Sequence, residues 1–193
     1  MRIITALLAI TLFVSGCATS PQTTAQRSAL ADESRATLTL MQERDPQLKQ
    51  FLGRSAGYAV FPNVGKGGLI VGGAFGRGTV CDAGGSLLGY ATVTQGSVGG
   101  VIGARSYSLL LVFHRPHQLE RFQRGADVQF GAEATAIAIT EGCSATTRYI
   151  DGVAVFALPR GGLMADASLS GQEFRFEQRD DSKPDHDMAS TGD

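Results

Sequence analysis

The sequence predicts an α+β domain, mostly antiparallel β: N-terminal helices followed by a glycine-rich curled sheet or small barrel with one inserted helix. Helical composition is concentrated before the strands, with one short stretch between them. The strand-like segments otherwise follow one another without the intervening helices that a parallel sheet needs. Glycine accounts for 25 of 193 residues, well above the usual ~7% share. These glycines lie inside alternating apolar segments, where they favour bulges, sharp curvature or close backbone approach. Strands of that kind curl, and a small barrel is one way for them to close.

In chain order, Ser28 to Arg44 is helical in composition, with Leu30, Leu38 and Met41 on a loosely periodic apolar face. Pro46 interrupts it, and a second short helix is expected over Gln47 to Leu52 with Gly53 as its C-cap. Strands follow from Gly57 to Phe61, from Leu69 into Val80-Cys81, over Ser86 to Thr94, over Val98 to Ala104 and over Ser106 to Phe113. Turns are read at Gly65-Lys66-Gly67-Gly68 and at Asp82-Ala83-Gly84-Gly85. Arg115 to Arg124 is the inserted helix, with Pro116 in its first turn and Gly125 as its stop. Val128 to Thr140, Tyr149 to Leu158 and Gly161 to Phe176 complete the strands, with Asp151-Gly152 and Arg160-Gly161-Gly162 as turns. Tyr58, Phe61, Phe75, Phe113 and Phe156 are read as core or barrel-lining aromatics.

The first seventeen residues predict where the chain goes. Met1-Arg2 supplies one positive charge, Ile3 to Val14 is almost entirely apolar, and Val14-Ser15-Gly16 precedes Cys17. An apolar run of about twelve residues is short of the roughly 20 that a membrane-spanning helix needs, so it reads as a signal segment. The arrangement resembles a bacterial lipoprotein signal, with Cys17 as the acylated, palmitate-bearing first residue; an ordinary secretory signal is the alternative. Ala18 rather than Asp after the cysteine favours, by analogy, the periplasmic face of the outer membrane over inner-membrane retention. The expected organisation is a signal peptide at 1–16, Cys17 and a flexible tether at 17–27, one domain at 28–178 and an acidic disordered tail at 179–193.

Loss of the signal leaves 193 − 16 = 177 residues, with 16 basic and 18 acidic side chains. A net charge of −2 gives no indication of a basic face, and nucleic acid is not an expected partner. Cys81 and Cys143 are the two other cysteines. In an oxidising compartment they allow one disulfide; two buried free thiols are the other reading, and spacing does not choose between them.

An ordered set of motifs resembles the SYLF domain, also called the Ysc84 domain. The set comprises Gly57-Tyr58-Ala59-Val60-Phe61-Pro62-Asn63-Val64-Gly65-Lys66-Gly67-Gly68, then Val71 to Gly78, Gln95 to Gly100, Leu111-Val112-Phe113, Leu119 to Phe122, Gly131 to Ala134, and Tyr149 through Gly171. The similarity spans roughly Ala29 to Phe176. It implies a binding module: eukaryotic members are associated with phosphoinositides and other acidic lipids and, in the yeast Ysc84 type, with actin. An actin role is not carried into a bacterial envelope.

No motif points to catalysis. Gly65-Lys66-Gly67-Gly68 lacks the Walker spacing and the following Ser or Thr, and strand rather than helix follows it. His114 and His117 read as surface residues at a strand-to-helix junction, since a metal site needs further ligands and His186 lies in the tail. No GxSxG elbow is present. No metal, cofactor or catalytic residue is expected. Lys66, Arg77 and Arg160, on or near turns, are the candidate contacts for an anionic phospholipid head group. The expectation is a non-catalytic outer-membrane lipoprotein that binds lipid or envelope. The alternative is a structural or protein-interaction lipoprotein with an envelope protein partner and no small ligand.

Overall fold

The computed structural model describes residues 21, 23–68, 71–98, 105–125, 137–140, 143–160 and 172–179. The signal segment, Cys17 and residues 180–193 lie outside them. Four helices and seven strands are described: α1 (Thr24–Arg44), α2 (Leu48–Gly53), β1 (Gly57–Gly68), β2 (Val71–Asp82), β3 (Leu87–Val98), β4 (Arg105–Phe113), α3 (Pro116–Gln123), β5 (Ile137–Ala138), α4 (Cys143–Thr146), β6 (Val153–Pro159) and β7 (Gln172–Gln178). The strands form one sheet in the order β5-β6-β4-β1-β2-β3-β7. All neighbours are antiparallel except β5, which adds a short parallel pair to β6.

The sheet is curled and open. Tyr107 in β4 accepts a hydrogen bond from Gln172 Nε2 in β7 at 2.9 Å, although three strands separate them. In a flat sheet four steps of ~4.8 Å would hold these strands about 19 Å apart. The rings of Phe61 in β1 and Phe174 in β7 likewise meet at 5.5 Å across β2 and β3. Small residues permit this bend. Gly76, Gly78, Gly89 and Ala91 present little bulk to the concave side, and a Cβ on Gly78 would lie 2.7 Å from the Phe61 ring. Phe61, Phe113, Phe122 and Phe174 fill the space so created, and α3 caps it with Leu119 and Phe122.

The opposite face carries the helices. Met41 of α1 and Leu48 and Leu52 of α2 pack on Val60, Leu110, Val112, Ala154 and Phe156. β4 and β6 are therefore buried on both faces, which explains the unbroken run Leu109-Leu110-Leu111-Val112-Phe113. A bulge at Phe61-Pro62-Asn63 shifts β1 by one residue, so that Phe61 and Val64 both face the concave core. Pro62 has no N–H to give the ladder, and its carbonyl accepts from Ser108 Oγ at 2.6 Å.

Several boundaries differ from the sequence reading. α1 begins at Thr24, capped by Thr23 Oγ1, rather than at Ser28. Its buried residues are Ser34, Thr37 and Met41, so two hydroxyls join the expected Met41, with Leu38 beside it, on the face toward the sheet. The β1–β2 ladder continues through Gly68↔Gly72, which makes Lys66 a strand residue and not part of a turn. β3 runs unbroken from Leu87 to Val98, through the expected gap at Gln95-Gly96-Ser97. The turn expected at Arg160-Gly161-Gly162 lies outside the described residues after Arg160, and the next described strand, β7, pairs with β3. The turn at Asp151-Gly152 is present, with φ of 50° and 80°, the left-handed pair that a tight primed turn needs. Most of the strand expected over Val128 to Thr140 lies outside the described residues; only Ile137–Ala138 is seen.

Candidate functional site

α1 lies over the convex face of β1 and β2 and leaves a cleft of about 500 Å³ beneath its N-terminal half. Ala29, Leu30 and Glu33 line it from the helix, and Pro62, Phe75 and Arg77 from the strands. Alternation along β2 sets the last two: Ala74, Gly76 and Gly78 are buried, whereas Phe75 and Arg77 point outward. Phe75 is 42% exposed, which corrects its assignment as a core aromatic. The Arg77 guanidinium carbon sits 5.6 Å from the Phe75 ring centroid, a cation–π distance.

Arg160, at the end of β6, reaches the same cleft through an ion pair. Its Nη1 donates to Glu33 Oε1 at 3.2 Å, and its backbone N–H donates to Ser106 O at 3.0 Å. The cleft thus gathers two of the three predicted basic residues. The third, Lys66, follows the cleft residue Gly65 in β1 and pairs in register with Ala74 and Arg105. Sequence reasoning missed Phe75 and Glu33. The outward parity of Phe75 with Arg77 was a usable signal; the pairing of Glu33 with a residue 127 positions later was not.

The N-terminal entry to the cleft is held in place. Pro21 is buried, lines the cleft, and its carbonyl accepts from Arg27 Nε at 3.3 Å. Arg27 also lies over the Tyr90 ring, 5.9 Å from its centroid.

His114 and His117 are exposed at the β4–α3 junction. Cys81 and Cys143 are separate free thiols in this structure. Cys81 accepts a hydrogen bond from Tyr58, and Cys143 donates to Asp45 Oδ2 at 3.4 Å. Burial, with the Cys81 and Asp82 charges behind it, pushes the Tyr58 phenol from 10.0 up to about 12. Tyr58 therefore ionises in the unfolded chain before it does so in the fold. Its contribution to stability is complete below pH 10 and is lost as pH rises to about 12. Urea unfolding at pH 9 and at pH 11.5 should show a drop that is smaller in Tyr58→Phe. An equal drop in both proteins would place the alkaline loss elsewhere, for instance at Tyr107 or Tyr149, whose phenols burial also raises.

Residues 94–183 match the family model named Ysc84 and described as Las17-binding protein actin regulator. This stretch of the chain is similar to the Ysc84 family. No curated protein matches the chain. The Ysc84 match begins inside β3, yet the unit it marks does not end there. β3 is paired with β2 along its length and β4 is paired with β1, so the motifs in Gly57–Gly68 and Val71–Gly78 belong to the same sheet. Arg160 falls inside the matched stretch, and Arg77 and Lys66 precede it. The family supports the coarse reading of a binding module.

Proposed function

We propose that this chain is a non-catalytic envelope lipoprotein, held by an acylated Cys17 on the periplasmic face of the outer membrane. Its Ysc84-type domain binds anionic lipid head groups at the cleft beneath α1. The observation that carries the reading is Pro21. It is buried in the cleft wall and tied to α1, only four residues after Cys17. Four extended residues reach at most about 14 Å. A lipid on Cys17 would keep this cleft, with Arg77 over Phe75 and Arg160 at its rim, against the bilayer surface. Basic groups there gain roughly 1 kcal/mol each from an anionic leaflet. Among the described residues Glu33 is the one acid lining the cleft, and it is paired with Arg160, an arrangement suited to binding rather than to proton transfer. That same pair offsets part of the positive charge, which favours the second reading: an interaction lipoprotein that docks an envelope protein and no lipid.

A soluble form starting at Ala18 tests the proposal by co-sedimentation with vesicles of phosphatidylethanolamine, phosphatidylglycerol and cardiolipin at two salt concentrations. Salt-sensitive binding to the anionic vesicles is expected, weakened about tenfold or more by Arg77→Glu or Arg160→Glu. A folded protein that sediments with none of the vesicles would sink the head-group reading and leave the protein partner.

A further inference from the structure

A second cavity, of about 450 Å³, opens between α2, α4 and the β4–α3 corner. Its wall is a stack of three rings. Phe51 and Tyr149 lie face to face at 5.0 Å and 18°, and His114 follows Tyr149 at 4.4 Å. Phe156 meets Phe51 edge-on at 5.5 Å and seats the stack in the core. His114 is the exposed end, and its backbone N–H is fixed to Gly152 O at 2.9 Å.

The rest of the lining is polar. Gln47 and Gln50 bring carboxamides, Ser144 and Thr147 hydroxyls, and Arg54 a guanidinium. Ser144 is 2% exposed, and its Oγ has no hydrogen-bond partner among the described residues. Its backbone N–H donates to Asp45 Oδ2 at 2.8 Å. That hydroxyl lies just under the cavity surface, a polar group behind the wall rather than on it. Burial raises the Tyr149 phenol pKa, which keeps that group a neutral donor.

We propose that this cavity is a saccharide site, in which a pyranose ring bearing an acidic substituent extends the ring stack from His114. Carboxamides and hydroxyls both donate and accept, matching the hydroxyl groups around a sugar. An apolar ring face with a few convergent polar groups is the usual make-up of a small-ligand site. Arg54 is the one permanently charged residue in the lining among the described residues, and it offers a two-pronged contact to a carboxylate. The site shares no residue with the cleft beneath α1 and requires no membrane, so it stands or falls apart from the lipid proposal.

The test is saturation-transfer NMR on the chain starting at Ala18, with N-acetylmuramic acid and N-acetylglucosamine at millimolar concentration. Transfer to the pyranose protons of both sugars is expected, with tighter binding of the acidic one. His114→Ala should weaken both about tenfold, and Arg54→Gln should abolish the preference for the acid. Both side chains are exposed, and an unchanged melting temperature checks that the variants fold. Absence of transfer, transfer unaffected by both substitutions, or displacement of the sugars by a planar base such as adenine would overturn the assignment.

Discussion

Replacing Gly78 with alanine is expected to cost about 3 kcal/mol or more, a change large enough to lower the melting temperature by roughly 6–12 °C in a domain of this size. The added Cβ would press into the Val60 carbonyl oxygen and lie 2.7 Å from Phe61 Cδ1. Phe61 is fully buried and touches Phe174 across the curl, so its ring has nowhere to retreat. Backbone cannot yield cheaply either, because β2 is bonded on both sides, to β1 and to β3. Gly65 is the control: a Cβ there meets nothing within 4 Å, and Gly65→Ala should stay within about 0.5 kcal/mol of the parent. Urea denaturation of the two variants reads the contrast. A Gly78→Ala protein as stable as Gly65→Ala would mean that the curl does not depend on the missing side chains.

Asp45→Ala should remove about 3 to 4 kcal/mol. Asp45 is 0% exposed at the end of α1. One carboxylate oxygen accepts from the Gln47 N–H at 3.1 Å, in the turn that leads into α2. The other accepts from the Ser144 N–H at 2.8 Å and from Cys143 Sγ at 3.4 Å. One side chain thereby ties α1, α2 and α4 together over the sheet. Truncation would strand a buried N–H and loosen α4. Burial, and next to it the Asp45 carboxylate, raises the Cys143 thiol pKa, which keeps it protonated and slow to alkylate. In Asp45→Ala, iodoacetamide should therefore modify Cys143 faster, even below the unfolding transition. Asp45→Asn keeps one acceptor and should lose about half as much stability. Equal stability and equal alkylation in all three proteins would remove Asp45 as the linchpin.

Local chemistry explains which parts of this fold were legible in the sequence. Pro116 and Gly125 mark α3 almost to the residue, since each acts through its own backbone. Asp151-Gly152 is legible for the same reason. The curl was foreshadowed by glycine in strand-like sequence, but the aromatic partners of those glycines lie on β1 and β7, and only the fold brings them together. Glycine also misled. Gly65 to Gly68 and Gly96 look like turns, yet antiparallel pairing carries the strands through them. α1 hid its buried face because Ser34 and Thr37 occupy it. The cleft was half legible: Arg77 and Arg160 are conspicuous in an uncharged neighbourhood, whereas Glu33 and Phe75 gain meaning only from contacts across the fold.

β7 takes its place beside β3, and Gln172 meets Gln95 from 77 residues away. Phe174 and Phe176 arrive with it and pack into the concave core. Until that last strand docks, Phe61 and Phe122 lack the rings they pack against in the finished fold. Closing so long a loop is slow, and its reward comes only on completion. The β1–β4 hairpins can form early, but cooperative folding must await the carboxy-terminal end of the domain. A nascent or threading chain therefore stays pliant until β7 has emerged.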